Sequence, residues 1–282
     1  MAMKIGVFDS GIGGLTVLNE IWKALPQTRT CYIADQIHIP YGSKPLEQVR
    51  SFSEGITEFL IDLGCSLVVV ACNTASAAGL NYLRGKFPSI PFVGMEPALK
   101  PAAEHTRSGV VGVLATPATF QGALYASVLE RFASHVRILQ HTCPGLVERI
   151  ESGELESPET KSILEEVLIP MREVGIDTIV LGCTHYPFVI PLIREITGEG
   201  VRVIDPSPAV ARQVKRVSIQ FQTESDRNYA NFFRTDGVDA HQFWTTADPG
   251  KLEALLPGLI GCTAKVNSLE WVRGQLIYDP AG

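Results

Sequence analysis

The sequence predicts an α/β fold of two pseudo-symmetric domains. Each would be a mostly parallel sheet flanked by helices, with the active site in the cleft between them. Three observations carry this reading. Short apolar strand-like runs alternate with helix-period segments, the rhythm of βα units. That rhythm restarts near residue 109 of the 282. Two buried-type runs, VVVACNTAS (68–76) and TIVLGCTHYP (178–187), each end in a cysteine followed by small polar residues.

The elements follow in order. KIGVFD (4–9) reads as a strand and GLTVLNEIWKAL (14–25) as an amphipathic helix. TCYIAD (30–35) is the next strand, and 45–64 carries apolar residues at helical spacing. SLVVVA is a buried strand, 75–87 a helix and IPFVGM (90–95) another strand. In the second half, GVVGVLAT (109–116) resembles the first strand, and VRILQH (136–141) follows it. Residues 157–175 form a long helix, with Ser157 suited to its cap and Pro158 to its first turn. TIVLGC and VRVIDPS (201–207) complete the set. A helix over 207–222 and a turn-rich stretch, FRTDGVDAHQFWTTADPG, read as late edge structure packing back on the first half. The expected domains are therefore 1–96 with 207–282, and 97–206.

Register supports an internal duplication. At an offset of 111 residues Cys72 falls on Cys183 and Gly64 on Gly175; at 106, Gly6 falls on Gly112 and Ser10 on Thr116.

Hydrophobic residues make up 45%, enough for a sizeable core. A net charge of −6 argues against a general nucleic-acid or anionic-membrane binder, though not against a small anionic substrate at a local site. No apolar run approaches the roughly 20 residues a membrane helix needs. MAMKIGVFDS runs directly into a strand, so no signal peptide and a cytoplasmic location are expected. Six cysteines without a secretory signal are not a disulfide framework, and the absence of a CxxC pair argues against structural zinc. Neither a GxGxxG nor a P-loop motif is present, so nucleotide binding gains no support.

In open parallel sheets, ligands bind beyond the carboxyl ends of the strands. Cys72 and Cys183 stand there. Asn73-Thr74 and Thr184-His185 are expected to open the following helices, whose unpaired N–H groups bind anions. DSGIGG (9–14) brings Asp9 and Ser10 to the same edge ahead of a glycine-rich turn that allows close backbone approach. ADQIHIPYGSK (34–44) adds a further loop. Glu151 reads either as a solvated helix-end charge or as a titratable helper. His185 could cap, assist proton transfer or bind metal, but no other metal ligands accompany it. Cys31, Cys65, Cys143 and Cys262 read as small buried hydrophobes.

FDSGIGG, PYGSK, VVACNTAS, VGMEPA and LGCTHYP, in that order and spacing, resemble the glutamate racemases of the aspartate/glutamate racemase superfamily, and FWTTADP agrees. The resemblance implies cofactor-independent interconversion of L- and D-glutamate, supplying D-glutamate for peptidoglycan; a homodimer is one assembly open to the chain, whose oligomeric state the sequence does not fix. It also implies that Cys72 and Cys183 are the catalytic thiols, Cys72 acting on the D isomer and Cys183 on the L isomer. Asp9 would assist Cys72, His185 would assist Cys183, and Glu151 would be a further helper. Asp9, Ser10, Tyr41, Gly42, Asn73, Thr74, Thr184 and His185 would hold substrate. One departure stands out: many relatives read Asp-Thr-Ala before PYG, where this chain has Asp35-Gln36-Ile37.

Two thiols suit racemisation because one base on each face can remove and return the Cα proton. A free thiol is a stronger base than a carboxylate by roughly 6 kcal/mol, and ionising it at pH 7 costs about 2 kcal/mol. Three rival readings remain at this level. A reversible disulfide enzyme lacks its usual CxxC. A non-catalytic amino-acid binding module would not need paired thiols. A racemase for aspartate or another amino acid would share the motifs.

Overall fold

The computed structural model describes residues 3–133, 135–225 and 240–278. The first half runs β1 (Lys4–Asp9), α1 (Leu15–Ala24), β2 (Arg29–Ala34), α2 (Leu46–Asp62), β3 (Leu67–Val70), α3 (Asn73–Lys86) and β4 (Phe92–Gly94). The second runs α4 (Leu99–His105), β5 (Val110–Ala115), α5 (Pro117–Gln121), α6 (Ala123–Phe132), β6 (Arg137–His141) and α7 (Leu146–Glu151). It continues with α8 (Pro158–Glu173), β7 (Thr178–Gly182), α9 (Ile190–Thr197) and β8 (Arg202–Ile204). The chain closes with α10 (Ser207–Ser225), β9 (His241–Thr245), α11 (Pro249–Ile260), β10 (Val266–Ser268) and a hairpin of β11 (Glu270–Val272) and β12 (Gln275–Ile277).

Two parallel sheets result, ordered β10-β9-β2-β1-β3-β4 and β6-β5-β7-β8. The second sheet repeats the β2-β1-β3-β4 order of the first. The repeat extends to single bonds at the offset of 111. Helix α2 ends with Gly64 at φ +80, and Cys65 N–H donates to Leu60 O over 3.0 Å. Helix α8 ends with Gly175 at φ +86, and Ile176 N–H donates to Met171 O over 3.4 Å. Both are left-handed glycine stops of the Schellman type. The same Leu60 packs over Gly6 of β1, and the same Met171 over Gly112 of β5; a Cβ at either glycine would lie 2.9 Å from its partner.

Side chains alternate across each strand. Ile5 and Val7 of β1 enter a central core that also takes Ile179 and Leu181 of β7, while Phe8 faces a layer under α2 and α3. Val180 turns to a third cluster with Leu99, Val111 and Val113. One apolar core thus runs beneath both sheets.

The C-terminal stretch differs from expectation. The part of the turn-rich run before Ala240 lies outside the described residues. The part after it is not an edge: β9 is an inner strand between β2 and β10, and α11 and the hairpin follow. His241 begins the strand beside Thr30, and Phe243 and Trp244 are buried. The alternation was hidden because a strand covered on both faces shows no polar side. Among the described residues, no helix is long and apolar enough to cross a membrane.

Candidate active site

The carboxyl ends of β1, β3 and β7 deliver their loops to one enclosed pocket. It lies at the point where each sheet's strand order reverses, the usual place for a ligand in such sheets. Ser10, Tyr41, Gly42, Cys72, Asn73 and Thr74 line it from the first half, and Thr116, Cys183, Thr184 and His185 from the second. The space inside is about 20 Å³, room for little more than one water. An apolar antechamber of about 240 Å³ adjoins it, sharing Pro40, Gly42, Thr116 and Val147. A larger cleft of about 560 Å³ near β4 and α10 reaches neither thiol, so size alone does not mark the reactive site.

Cys72 is the N-cap of α3. Its extended backbone turns Sγ back to accept from Ala75 N–H at 3.4 Å. Behind it Asp9, fully buried at the end of β1, accepts from Gly14 N–H at 2.8 Å and from the Thr184 hydroxyl at 3.3 Å. Burial pushes the Asp9 carboxyl above its usual range, partly offset by His185 and by a hydrogen bond with Cys72. Burial, then the Asp9 charge, drives the Cys72 thiol well above the ordinary thiol range, and Cys183 adds to the rise. Ionising Cys72 therefore costs more than the value of a free thiol, a correction to the sequence-based figure. Cys72 rests as a thiol, with a carboxylate of raised proton affinity beside it.

Cys183 has a different partner. Its Sγ lies 3.8 Å from Nδ1 of His185, whose Nε2 is 2.6 Å from Glu151 Oε1. Burial works against a charged imidazole, but the bonds and charges of Cys183 and Glu151 outweigh it and hold His185 well above its usual range. Glu151 is not a solvated helix end. Its side chain is 11% exposed, and it also accepts from Ile12 N–H at 2.7 Å and from Gln36 Nε2 at 2.7 Å. Thr184 and His185 do not open an α-helix. They lead into a 3-10 turn, Tyr186–Val189, with Pro187 in it, and α9 begins only at Ile190. The helix start expected after both cysteines is present after Cys72 alone.

The glycines of DSGIGG also make room for side chains of the second half. A Cβ on Gly11 would lie 2.0 Å from Glu151 Oε1, and one on Gly13 would lie 2.5 Å from His185 Nδ1. The turn is bare so that two side chains of the second half can press against it.

Asn73 is 4% exposed, and neither its amide nitrogen nor its oxygen has a hydrogen-bond partner in the protein. An unsatisfied buried amide costs about 1–3 kcal/mol. Set in the pocket wall, it offers one donor group and one acceptor to a small zwitterion. Thr74, Thr116 and Thr119 join hydroxyls across the cleft, at 2.9 Å for Thr74–Thr116 and for Thr116–Thr119.

Residues 9–214 match the Asp/Glu/Hydantoin racemase family model. The chain belongs to the Asp/Glu/hydantoin racemase family. It is 48% identical over 266 residues to a glutamate racemase of Pseudomonas aeruginosa, covering 94% of this chain and 97% of that protein. Among solved structures it is similar to glutamate racemase isoform RacE1 from Bacillus anthracis, at 32% identity and a TM-score of 0.82, covering 95% of this chain and 97% of that one. It also resembles the Escherichia coli glutamate racemase solved with L-glutamate and the activator UDP-MurNAc-ala, at 32% identity and a TM-score of 0.80, covering 94% and 97%.

Within this racemase-family site, ten sequence-selected residues gather at the pocket or directly behind it, and Glu151 reaches it through His185. Sequence reasoning passed over several others. Thr116 was visible only as the counterpart of Ser10 at the offset of 106. Asp35, fully buried, accepts from Tyr41 OH at 2.6 Å, Trp271 Nε1 at 2.7 Å and Thr246 Oγ1 at 2.9 Å, and so anchors the loop that carries Tyr41 and Gly42. Gln36 beside it grips Glu151. No local pattern signals either role, because apart from Tyr41 the partners named lie more than a hundred residues away.

Proposed function

We propose that this chain is a glutamate racemase that works by two thiols on opposite sides of the substrate. The observation that carries the reading is the placement of Cys72 and Cys183 on one small pocket, each with its own proton partner. Cys183, as thiolate, takes the Cα proton of L-glutamate while His185 holds the proton it released. Cys72, resting as a thiol beside Asp9, returns a proton to the opposite face. For D-glutamate the roles reverse, and Asp9 is the group that relieves Cys72 of its proton. The two bonds broken, Cα–H and S–H, are matched by one new S–H and one new Cα–H.

Carbanion character at Cα needs stabilisation at the α-carboxylate. The N–H groups of Asn73 and Thr74 at the start of α3, the unpartnered Asn73 amide and the Thr184 hydroxyl supply donors in a site with room for little more than one water. Asp9, Ser10, Tyr41, Gly42, Thr74 and His185 complete the substrate wall. In this reading the reaction needs no cofactor. Since the pocket as it stands holds about 20 Å³, glutamate enters only when the two halves, 1–96 with 207–282 and 97–206, move apart as domains. The similarity to an enzyme solved with L-glutamate favours glutamate over aspartate. The same reading places the enzyme in the cytoplasm, as a homodimer, supplying D-glutamate for peptidoglycan.

The test is incubation of the purified protein with L-glutamate in D₂O without added cofactor. Optical rotation and the Cα–H NMR signal are expected to decay together; an unchanged signal with glutamate and aspartate alike overturns the reading. Asn73→Ala and Thr184→Ala should each lower turnover by about 10²-fold, as loss of one charge-stabilising donor does. Unchanged turnover in both would remove the proposed carbanion stabilisation.

A further inference from the structure

Gln36 makes specific contacts through both ends of its side-chain amide. Its Nε2 donates to Glu151 Oε2 at 2.7 Å, while its Oε1 accepts from Thr245 Oγ1 at 2.7 Å. Thr245 is fully buried in β9 and in turn accepts from Ala247 N–H at 3.1 Å. The amide therefore has one workable orientation. Reversed, it would set its oxygen against the Glu151 carboxylate. The two ends of this bridge come from different halves, since Thr245 and Gln36 belong to the first sheet and its loops, and Glu151 to α7.

The carboxylate it holds is shared. Oε1 of Glu151 takes Ile12 N–H at 2.7 Å and faces His185 Nε2 at 2.6 Å, leaving Oε2 to Gln36. A carboxylate with one oxygen anchored by the backbone and the other by a side-chain amide cannot rotate. Its Oε1 stays in the line that His185 needs to keep Nδ1 toward Cys183. We infer that Gln36 is a positioning residue, whose bridge from Thr245 to Glu151 locks the Glu151–His185 pair in line with Cys183 when the two halves are closed. This rests on the racemase reading for its consequence, though not for its geometry. It acts through Glu151 and touches neither thiol.

The titratable groups around the pair are Asp9 and Cys183, which act on His185, and Tyr32, which acts on Glu151, from β1, β7 and β2 or the loops that follow them; Cys72, after β3, acts on Asp9 and Cys183. On the Gln36 turn itself stand Asp35 and His38, which bond each other at 2.9 Å. None of these replaces the Gln36 donor on Oε2.

Two variants test the inference. Gln36→Met keeps the shape of the side chain and deletes the donor. It should lower kcat about tenfold, with KM changed less than about twofold, as expected when one hydrogen bond to a charged group is lost from a positioning chain. Because the enantiomers are equal in energy, kcat/KM must fall equally in both directions. Gln36→Glu sets a second carboxylate against Glu151. Its activity should be lower still at pH 8 and recover as the pH is lowered, when one proton bridges the pair. The direct readout is the ¹⁵N-imidazole spectrum of the histidine-labelled enzyme, with His185 assigned by its loss in His185→Asn. In Gln36→Met the His185 titration should move toward lower pH, because the freed carboxylate turns to solvent.

A Gln36→Met enzyme with reduced stability but the wild-type His185 titration and an unchanged kcat would show a structural tie only, and would overturn the inference. Should Gln36→Met fail to fold, Thr245→Val releases the other end of the amide and must shift His185 in the same direction. If the wild-type protein racemises no glutamate, the racemase reading falls. The NMR result still decides whether Gln36 governs His185.

Discussion

Gly13→Ala asks whether the bare turn after β1 exists to seat His185. The added Cβ would lie 2.5 Å from His185 Nδ1, 2.7 Å from Thr184 Oγ1 and 2.8 Å from His185 Cε1. Ordinary contact begins near 3.4 Å, so the ring or the turn must give by roughly 0.9 Å. The ring has little freedom to do so. It is 2% exposed and fixed at its far side by Glu151, which is itself held by Ile12 and Gln36. Overpacking of this kind costs about 1–3 kcal/mol of stability. Displacing a proton-transfer group by about 1 Å costs on the order of 10²-fold in rate. The assay is kcat/KM for glutamate racemisation at fixed pH, alongside urea unfolding to separate the two effects. Gly85→Ala serves as the control. That residue sits exposed in α3 with nothing within 4 Å of a new Cβ, and the change should leave the rate alone while adding a few tenths of a kcal/mol of stability. A Gly13→Ala protein with wild-type kcat/KM would refute the claim that the close approach positions His185 for the proposed proton transfer.

Other outcomes follow from the same structure. The Cys72 thiol is held above its unfolded value, so both states keep the proton at neutral pH and only the unfolded state loses it first as pH rises. Its contribution to stability is therefore intact below about pH 8.5 and declines above, by up to about 1.4 kcal/mol per pH unit. Urea midpoints of wild type and Cys72→Ala should converge between pH 8 and 10; parallel curves would contradict the assigned shift. Trp271→Phe removes the 2.7 Å bond from Nε1 to the fully buried Asp35. A hydrogen bond to a buried carboxylate is worth about 1.5–3 kcal/mol, so unfolding at lower urea is expected, and an unmoved midpoint would show that Asp35 does not need this donor.

The alternation of strands and helices and the two thiols were legible because their signals are local. Buried parallel strands read as apolar runs, and each cysteine ends one. The offset of 111 residues then related Gly64 to Gly175, and the matched helix stops show why it holds. What escaped was set by distant partners. Glu151 reads as an ordinary charged helix end until Ile12, Gln36 and His185 are brought to it. Thr184 and His185 looked like a helix start because Asn73 and Thr74 are one, yet Pro187 and a 3-10 turn intervene before α9. β9 was misplaced because, with the sheet continuing to β10, it is an inner strand rather than the edge its turn-rich approach suggested.

On the two-thiol reading proposed above, the duplication also explains how a near-symmetric scaffold would run an asymmetric proton transfer. Cα inversion needs one thiolate and one thiol at the same moment, and two identical halves would give both cysteines the same resting state. The sequence breaks the equivalence at two positions. At the offset of 111, His185 stands where the first half has Thr74; at 106, Ala115 stands where the second half would need its own Asp9. One thiol is thus pushed up by burial and by the Asp9 carboxylate beside it, and the other faces an imidazole that Cys183 and Glu151 hold well above its usual range against its burial. Asp9 lowers the cost of the imidazolium, and the imidazolium lowers the cost of the Asp9 carboxylate. Each partner is stabilised by the charge the other cysteine requires. Placing both acids, or both bases, on the two sides would leave like charges facing across a pocket too small to hold the water that could screen them.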